Sequence, residues 1–167
     1  MKWYALGLML LTMLLVVACG APAITPQTPP EIVYGEDVCD HCGMIINDER
    51  FAAGVVIQTQ PDQYEHRIFD DIGDMFAYAQ AANTDDGDEP IQIVSYFVHD
   101  YQSQAWLDAN QAHFVKADTS STPMGSGLAA FANQEEADAQ ALAWQGTVLD
   151  FETALHQIAL EHSHAQH

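Results

Sequence analysis

What this chain has least of is positive charge. Lys2, Arg50, Arg67 and Lys116 are its basic residues against 24 aspartates and glutamates, and the formal net charge is -20. A surface of that sign repels phosphate backbones and anionic headgroups, which excludes nucleic-acid binding. It fits a plain solvated acidic face, and equally the attraction of a basic partner or a cation. Cysteine is also scarce, with Cys19, Cys39 and Cys42 the whole set. A second Cys-x-x-Cys is absent, so a structural zinc site would have to draw its remaining ligands from His41 or other histidines. Internal repeats are not apparent. Outside the N-terminus there is no long apolar run, and no nucleophile paired with a base suggests catalysis, so the expectation is a protein that is not an enzyme.

The one long apolar run, Ala5 to Ala18, follows the singly positive start Met1-Lys2-Trp3. It falls short of the roughly 20 residues of a spanning helix and has the layout of a secretory signal. It ends in Val16-Val17-Ala18-Cys19-Gly20, which resembles a bacterial lipobox. That resemblance implies a signal peptide over residues 1–18, lipid on Cys19, and a mature protein held on the outer face of a membrane in the periplasmic or extracytoplasmic space. One acyl chain anchors only marginally; a diacylglyceryl group meets the requirement. Residues 19–35 then hold four of the seven prolines and are expected to form an extended tether. The folded domain is expected over 36–161, followed by a histidine-rich tail over 162–167.

Local patterns within 36–161 predict an α+β fold. The β-branched run from Phe51 to Gln58, a turn at Pro61-Asp62 and Tyr64 to Phe69 read as a hairpin. Asp70-Asp71 supply an N-cap for a helix over 72–82, where Ile72, Met75, Phe76 and Ala79 share a face. A polar loop over 83–90 leads to a strand from Ile91 to Val98. In the second half, Ala105-Trp106 and Ala112 to Val115 read as strand pieces, and Met124 to Phe131 as a glycine-weakened strand. A helix from Gln134 to Trp144, a strand from Gly146 to Leu149 and a final helix from Phe151 to about Leu160, capped by Asp150, complete it. The sum is two small β-β-α-β modules side by side.

Chemistry concentrates in Cys39-Asp40-His41-Cys42-Gly43-Met44. A redox dithiol wants a helix N-terminus to lower a thiol pKa, and Gly43 with Ile45-Ile46 make a poor helix start. A structural disulfide suits an oxidising compartment but closes little chain. A soft-metal site is the fourth reading, because thiolate and thioether sulfurs select Cu(I). Met124, in Pro123-Met124-Gly125-Ser126-Gly127, lies on no helical apolar stripe, unlike Met75, and is free to act as a ligand as well as to pack.

Cys42-Gly43-Met44, Phe69-Asp70-Asp71-Ile72-Gly73, Val98 to Asp100 with Trp106-Leu107-Asp108-Ala109, and Thr122 to Gly127 with Ala130-Phe131 follow one another in an order that resembles the NosL family. Members are copper-binding accessory lipoproteins in the maturation of nitrous oxide reductase, an enzyme of denitrification. The resemblance implies a monomeric Cu(I) metallochaperone of two β-β-α-β modules. It implies Cys42 as thiolate ligand and Met44 and Met124 as thioether ligands, with Cys39 either a second thiolate or a bystander. Its implied partners are nitrous oxide reductase or another cuproenzyme, and a membrane ABC-type maturation complex. His41 is a lesser candidate beside Cys42, as are His162 and His164 in the tail, where imidazoles could collect a metal or simply fray. Rival functions are a thiol-disulfide oxidoreductase using Cys39 and Cys42, and an interaction lipoprotein whose cysteines form a structural bridge.

Overall fold

The computed structural model describes residues 23–82 and 91–165, with side chains described as far as Glu161. The hairpin forms as the pattern predicts. Strand β1 (Ala53–Gln60) pairs antiparallel with β2 (Gln63–Phe69), Ala53 facing Phe69, and the reversal places Asp62 at φ 59°. Helix α1 (Ile72–Ala82) buries Ile72, Met75, Phe76 and Ala79, the face that the spacing selects. Strand β3 (Gln92–His99) returns on the other side of β1. The second module repeats this arrangement. Its first strand, β5 (His113–Lys116), is central, flanked by β6 (Leu128–Phe131) and β7 (Thr147–Leu149). Helix α2 (Gln134–Trp144) joins β6 to β7, N-capped by Asn133, whose side chain accepts from the Glu136 N–H at 2.9 Å. Helix α3 (Phe151–Ala165) starts at Asp150, whose carboxylate accepts from the Thr153 N–H at 2.8 Å.

Both sheets thus place the first strand of a module in the middle, in orders β2-β1-β3 and β6-β5-β7. The expected pair of β-β-α-β modules is observed. They share one core: Phe76 of α1, Phe114 of β5 and Phe151 of α3 meet with ring centroids 5.5–6.5 Å apart. A smaller cluster around Phe51, Val115 and Phe131 fills the outer side of the second sheet.

Three local expectations change. The Ala105-Trp106 piece does not join the second half; β4 (Trp106–Asp108) pairs with the free edge of β3 and extends the first sheet to four strands. The strand expected from Met124 begins only at Leu128. Before it, Thr122 to Gly127 form a turn, with the Gly125 N–H on the Thr122 carbonyl at 3.1 Å and the Gly127 N–H on the Thr122 hydroxyl at 3.2 Å. Finally, the end of the proline-rich segment packs. Pro30 is buried, Ile32 and Tyr34 lie against the core, and the Thr28 carbonyl is 2.8 Å from His66 Nε2. The physical reason is Gly54, which lacks the Cβ that would meet the Pro30 ring at 2.5 Å. Packing therefore begins upstream of residue 36.

Candidate metal site

Three segments meet above the N-terminus of α1. The first is the cysteine loop. Val38 and Ile45 form an isolated antiparallel bridge, the Cys39 N–H donates to the Met44 carbonyl at 2.8 Å, and the Gly43 N–H donates to the Cys39 carbonyl at 3.0 Å. The turn is tied to β2 by two reciprocal bonds: Asp40 N–H to the Ile68 carbonyl at 2.8 Å, and Ile68 N–H to the Asp40 carboxylate at 2.7 Å. These bonds hold both sulfurs over the start of α1. Cys39 is buried and Cys42 half-buried, and both thiols are free.

The second segment is Asp70 to Asp74. Asp71 caps the helix, its Oδ1 accepting from the Gly73 N–H at 2.8 Å. Asp70, just before the cap, and Asp74, in the first turn of the helix, point at the cysteines. Cys42 Sγ lies 3.4 Å from Asp70 Oδ1, and Cys39 Sγ lies 3.5 Å from Asp74 Oδ2. Burial pushes both thiols above their ordinary range; at Cys42 the neighbouring Cys39 sulfur and the two carboxylates push further in the same direction.

The third segment is the Thr122–Gly127 turn of the second module. The outer oxygen of Asp71 holds it, accepting from the Thr122 hydroxyl at 2.6 Å and from the Met124 N–H at 2.9 Å. Asp71 is completely buried. Its carboxylate therefore satisfies a helix end with one oxygen and docks a loop from the other module with the second. Ser126 closes the contact by sitting directly against Gly73, where any Cβ would overlap it.

Between these segments opens a cleft of about 390 Å³, whose lining includes His41, Cys42, Asp74, Met124, Ser126 and Ile158. Of the residues singled out from sequence, Cys42 and Met124 come together on this cleft. Cys39 lies behind Cys42, at 2% exposure. His41 is at the mouth, exposed. Met44 sits on the same loop but outside the lining, with 55% of its surface exposed. Cys19 lies outside the described residues, and the side chains of His162 and His164 lie outside the described side chains. Sequence reasoning missed the inward-facing carboxylates of Asp70 and Asp74 and the docking role of Asp71. The available signal was the run of carboxylates bracketing the helix start, with Asp70 just before the Asp71 cap and Asp74 in the first turn.

The donor set is two thiols, a thioether at the rim and two buried carboxylates. It offers no lowered thiol pKa of the kind that a redox nucleophile needs. Soft sulfur on a solvent-reaching cleft suits capture of a soft cation.

Against proteins already known, the family model described as NosL matches residues 30–158. A comparison with curated sequences finds no match. Among solved structures, the chain resembles the crystal structure of the copper chaperone NosL from Shewanella denitrificans, with 20% identity and a TM-score of 0.62. The match covers 77% of this chain and 96% of that one. At that identity the likeness shows the fold.

Proposed function

The chain belongs to the NosL family, and from that premise we propose that it is a copper chaperone that carries Cu(I) rather than an enzyme. The observation that carries this reading is the Asp71 clamp, which brings Met124 from the second module to the same cleft as Cys42. Cys42 supplies a thiolate and Met124 a thioether, and Cys39 stands behind as a second thiolate. Met44 is a rim thioether that meets an incoming or departing ion. Such a ligand set holds Cu(I) with few soft donors and leaves one side open. Transfer then proceeds by ligand exchange: an acceptor's sulfur or imidazole enters from the open side, and the ion passes through a shared intermediate. The half-exposed Met124 is the donor placed to leave first.

The finer reading follows the family. The protein is lipid-anchored through Cys19 outside the cytoplasm, works as a monomer, and delivers copper to nitrous oxide reductase or a related exported cuproenzyme alongside a membrane ABC-type complex. A thiol-disulfide oxidoreductase fits less well, because both thiols are raised and Cys39 is closed to solvent.

Anaerobic titration of the reduced chain with Cu(I) against a competing chelator tests the reading. One ion per chain is expected, lost in Cys42→Ser and weakened in Met124→Leu. Undiminished affinity in Cys42→Ser, or no Cu(I) binding by the unaltered chain, would sink it. The client is tested separately by the copper content of nitrous oxide reductase purified from cells lacking this chain, which should fall.

A further inference from the structure

We propose that the outer face of the first sheet, with the N-terminal segment docked across it, is the face that the protein turns to the bilayer. The domain then sits close to the membrane in one orientation, not on a freely swinging tether. This rests on lipid at Cys19, part of the reading above. Residues 25–34 act as a strap. Thr25 and Thr28 close a turn, the Thr28 N–H donating to the Thr25 carbonyl at 3.0 Å. The Thr28 carbonyl stands 2.8 Å from His66 Nε2 of β2, Pro30 fills the space over Gly54 of β1, and the Tyr34 hydroxyl meets His99 Nε2 of β3 at 2.9 Å. The strap thus crosses three strands. Its distance from the lipid follows from chain length. Thr25 lies six residues beyond Cys19, and an extended chain covers about 3.5 Å per residue, so the strap stands within about 20 Å of the lipid whatever the conformation between. A free tether from Cys19 to Glu36 would reach about 50 Å in extended polyproline form.

Charge supplies a second argument. In a chain with 24 carboxylates, residues 19–30 carry none, and no lysine or arginine either. The cross-strand pairs on the strap side of the hairpin are Gly54 with Ile68, Val56 with His66 and Gln58 with Tyr64, again without a carboxylate or a fixed cation. The Glu65–Arg67 ion pair lies on the opposite side, with the core residues Val55 and Ile57. An acidic body is repelled by anionic headgroups over about a Debye length, about 8 Å. This face lets it approach with those charges turned away. Helix α3 covers the other side of the sheet, where Phe151 packs on Tyr96, the cross-strand partner of Val55, with ring centroids 5.0 Å apart. The cleft is lined from α1 and α3, by Asp74 and Ile158 among others, so it stands on the side away from the bilayer. An acceptor therefore reaches the cleft without passing between protein and lipid.

Phosphatidylcholine nanodiscs with a nitroxide on a fraction of the headgroups are the probe. The full, lipidated chain is inserted, and its amide NMR signals are compared before and after ascorbate quenches the nitroxide. Signals of Thr28, Gln58 and Tyr64 should be lost beside the nitroxide and return on quenching, whereas Glu152 and His156, exposed on α3, keep theirs. A ten-residue Gly/Ser insertion between Pro22 and Ala23 leaves every strap contact in place and lengthens the reach. It should abolish the difference between the two faces, with Cu(I) affinity unchanged. Losses shared equally by both faces in the unaltered chain, or concentrated on α3, overturn the proposal and leave the lipid anchor standing. An intact mass without a diacylglyceryl group overturns anchor and proposal together, while the Cu(I) titration judges the copper reading separately. Two chains paired in each disc through the strap face would assign that face to a second copy and overturn the proposal as well.

Discussion

Replacing Asp71 by asparagine isolates the joint between the two modules. Asparagine keeps the volume and caps helices well, so its oxygen can stay on the Gly73 N–H, now 2.8 Å from Asp71 Oδ1. Its NH2 group then faces the two donors that the second carboxylate oxygen accepted, the Thr122 hydroxyl at 2.6 Å and the Met124 N–H at 2.9 Å. The hydroxyl can rotate to accept; the backbone N–H cannot. Each bond to the charged oxygen contributes about 1.5–3 kcal/mol, and a neutral replacement about 1. Relief of the buried charge offsets part of the loss, and a net destabilisation of about 2 kcal/mol is expected. Urea unfolding of the metal-free chain measures it. Cu(I) affinity should fall with it, because the Met124 turn loses its attachment. Met124→Leu should lower affinity without lowering stability, since 45% of Met124 is exposed. The double variant should bind Cu(I) no more weakly than the weaker single variant. Additive affinity losses, or an Asp71→Asn chain as stable as the original, would refute the reasoning.

Further substitutions probe the same frame. Gly73→Ala should push Ser126 and its turn off the helix, costing about 1–3 kcal/mol as overpacking and weakening Cu(I) binding in the chelator assay. Gly54→Ala should displace Pro30 at a similar cost, about 1–3 kcal/mol, with Cu(I) affinity retained, because that contact lies on the β1–β2 hairpin away from the cleft. Phe76→Ala, at the ring cluster shared by both modules, should cost about 3–5 kcal/mol in urea unfolding. His99 supplies a pH test. Burial lowers its pKa, and the neutral ring is held between the Gln104 carbonyl at 2.7 Å and the Tyr34 hydroxyl at 2.9 Å. The unfolded chain therefore binds the extra proton first. Stability contributed by this group is present above about pH 6.5 and is lost as pH falls below it. His99→Gln should flatten that part of the pH–stability curve.

Much of the fold was legible because its signals are local. The β1–β2 hairpin announces itself through β-branched residues and Pro61-Asp62, and α1 through the spacing of Ile72, Met75, Phe76 and Ala79. Cys42 and Met124 were also legible, one by its motif and one by its misfit with any buried stripe. What escaped was decided by partners far away in the chain. Pro30 packs because a glycine stands opposite it in β1, which proline content alone does not report. Trp106 joins β3 because that strand has a free edge. Asp71 looked like a helix cap, and it is one, but its second oxygen is used by residues 51 and 53 positions away. The inward aim of Asp70 and Asp74 depends on the cysteine loop being tied to Ile68, a contact with no sequence signature.

The clamp from Asp71 to the Thr122–Gly127 turn has a consequence for the order in which the molecule comes into being. The thiols and their facing carboxylates all belong to the first module, whereas Met124 arrives with the second. A chain extended or folded only as far as β4 owns the sulfurs but no roofed cleft. The thioether joins them only after the second module docks on the buried carboxylate. Completion of the cleft is thus a readout of completed folding, and in an unfinished or damaged molecule the thiols and the Met124 thioether stay apart.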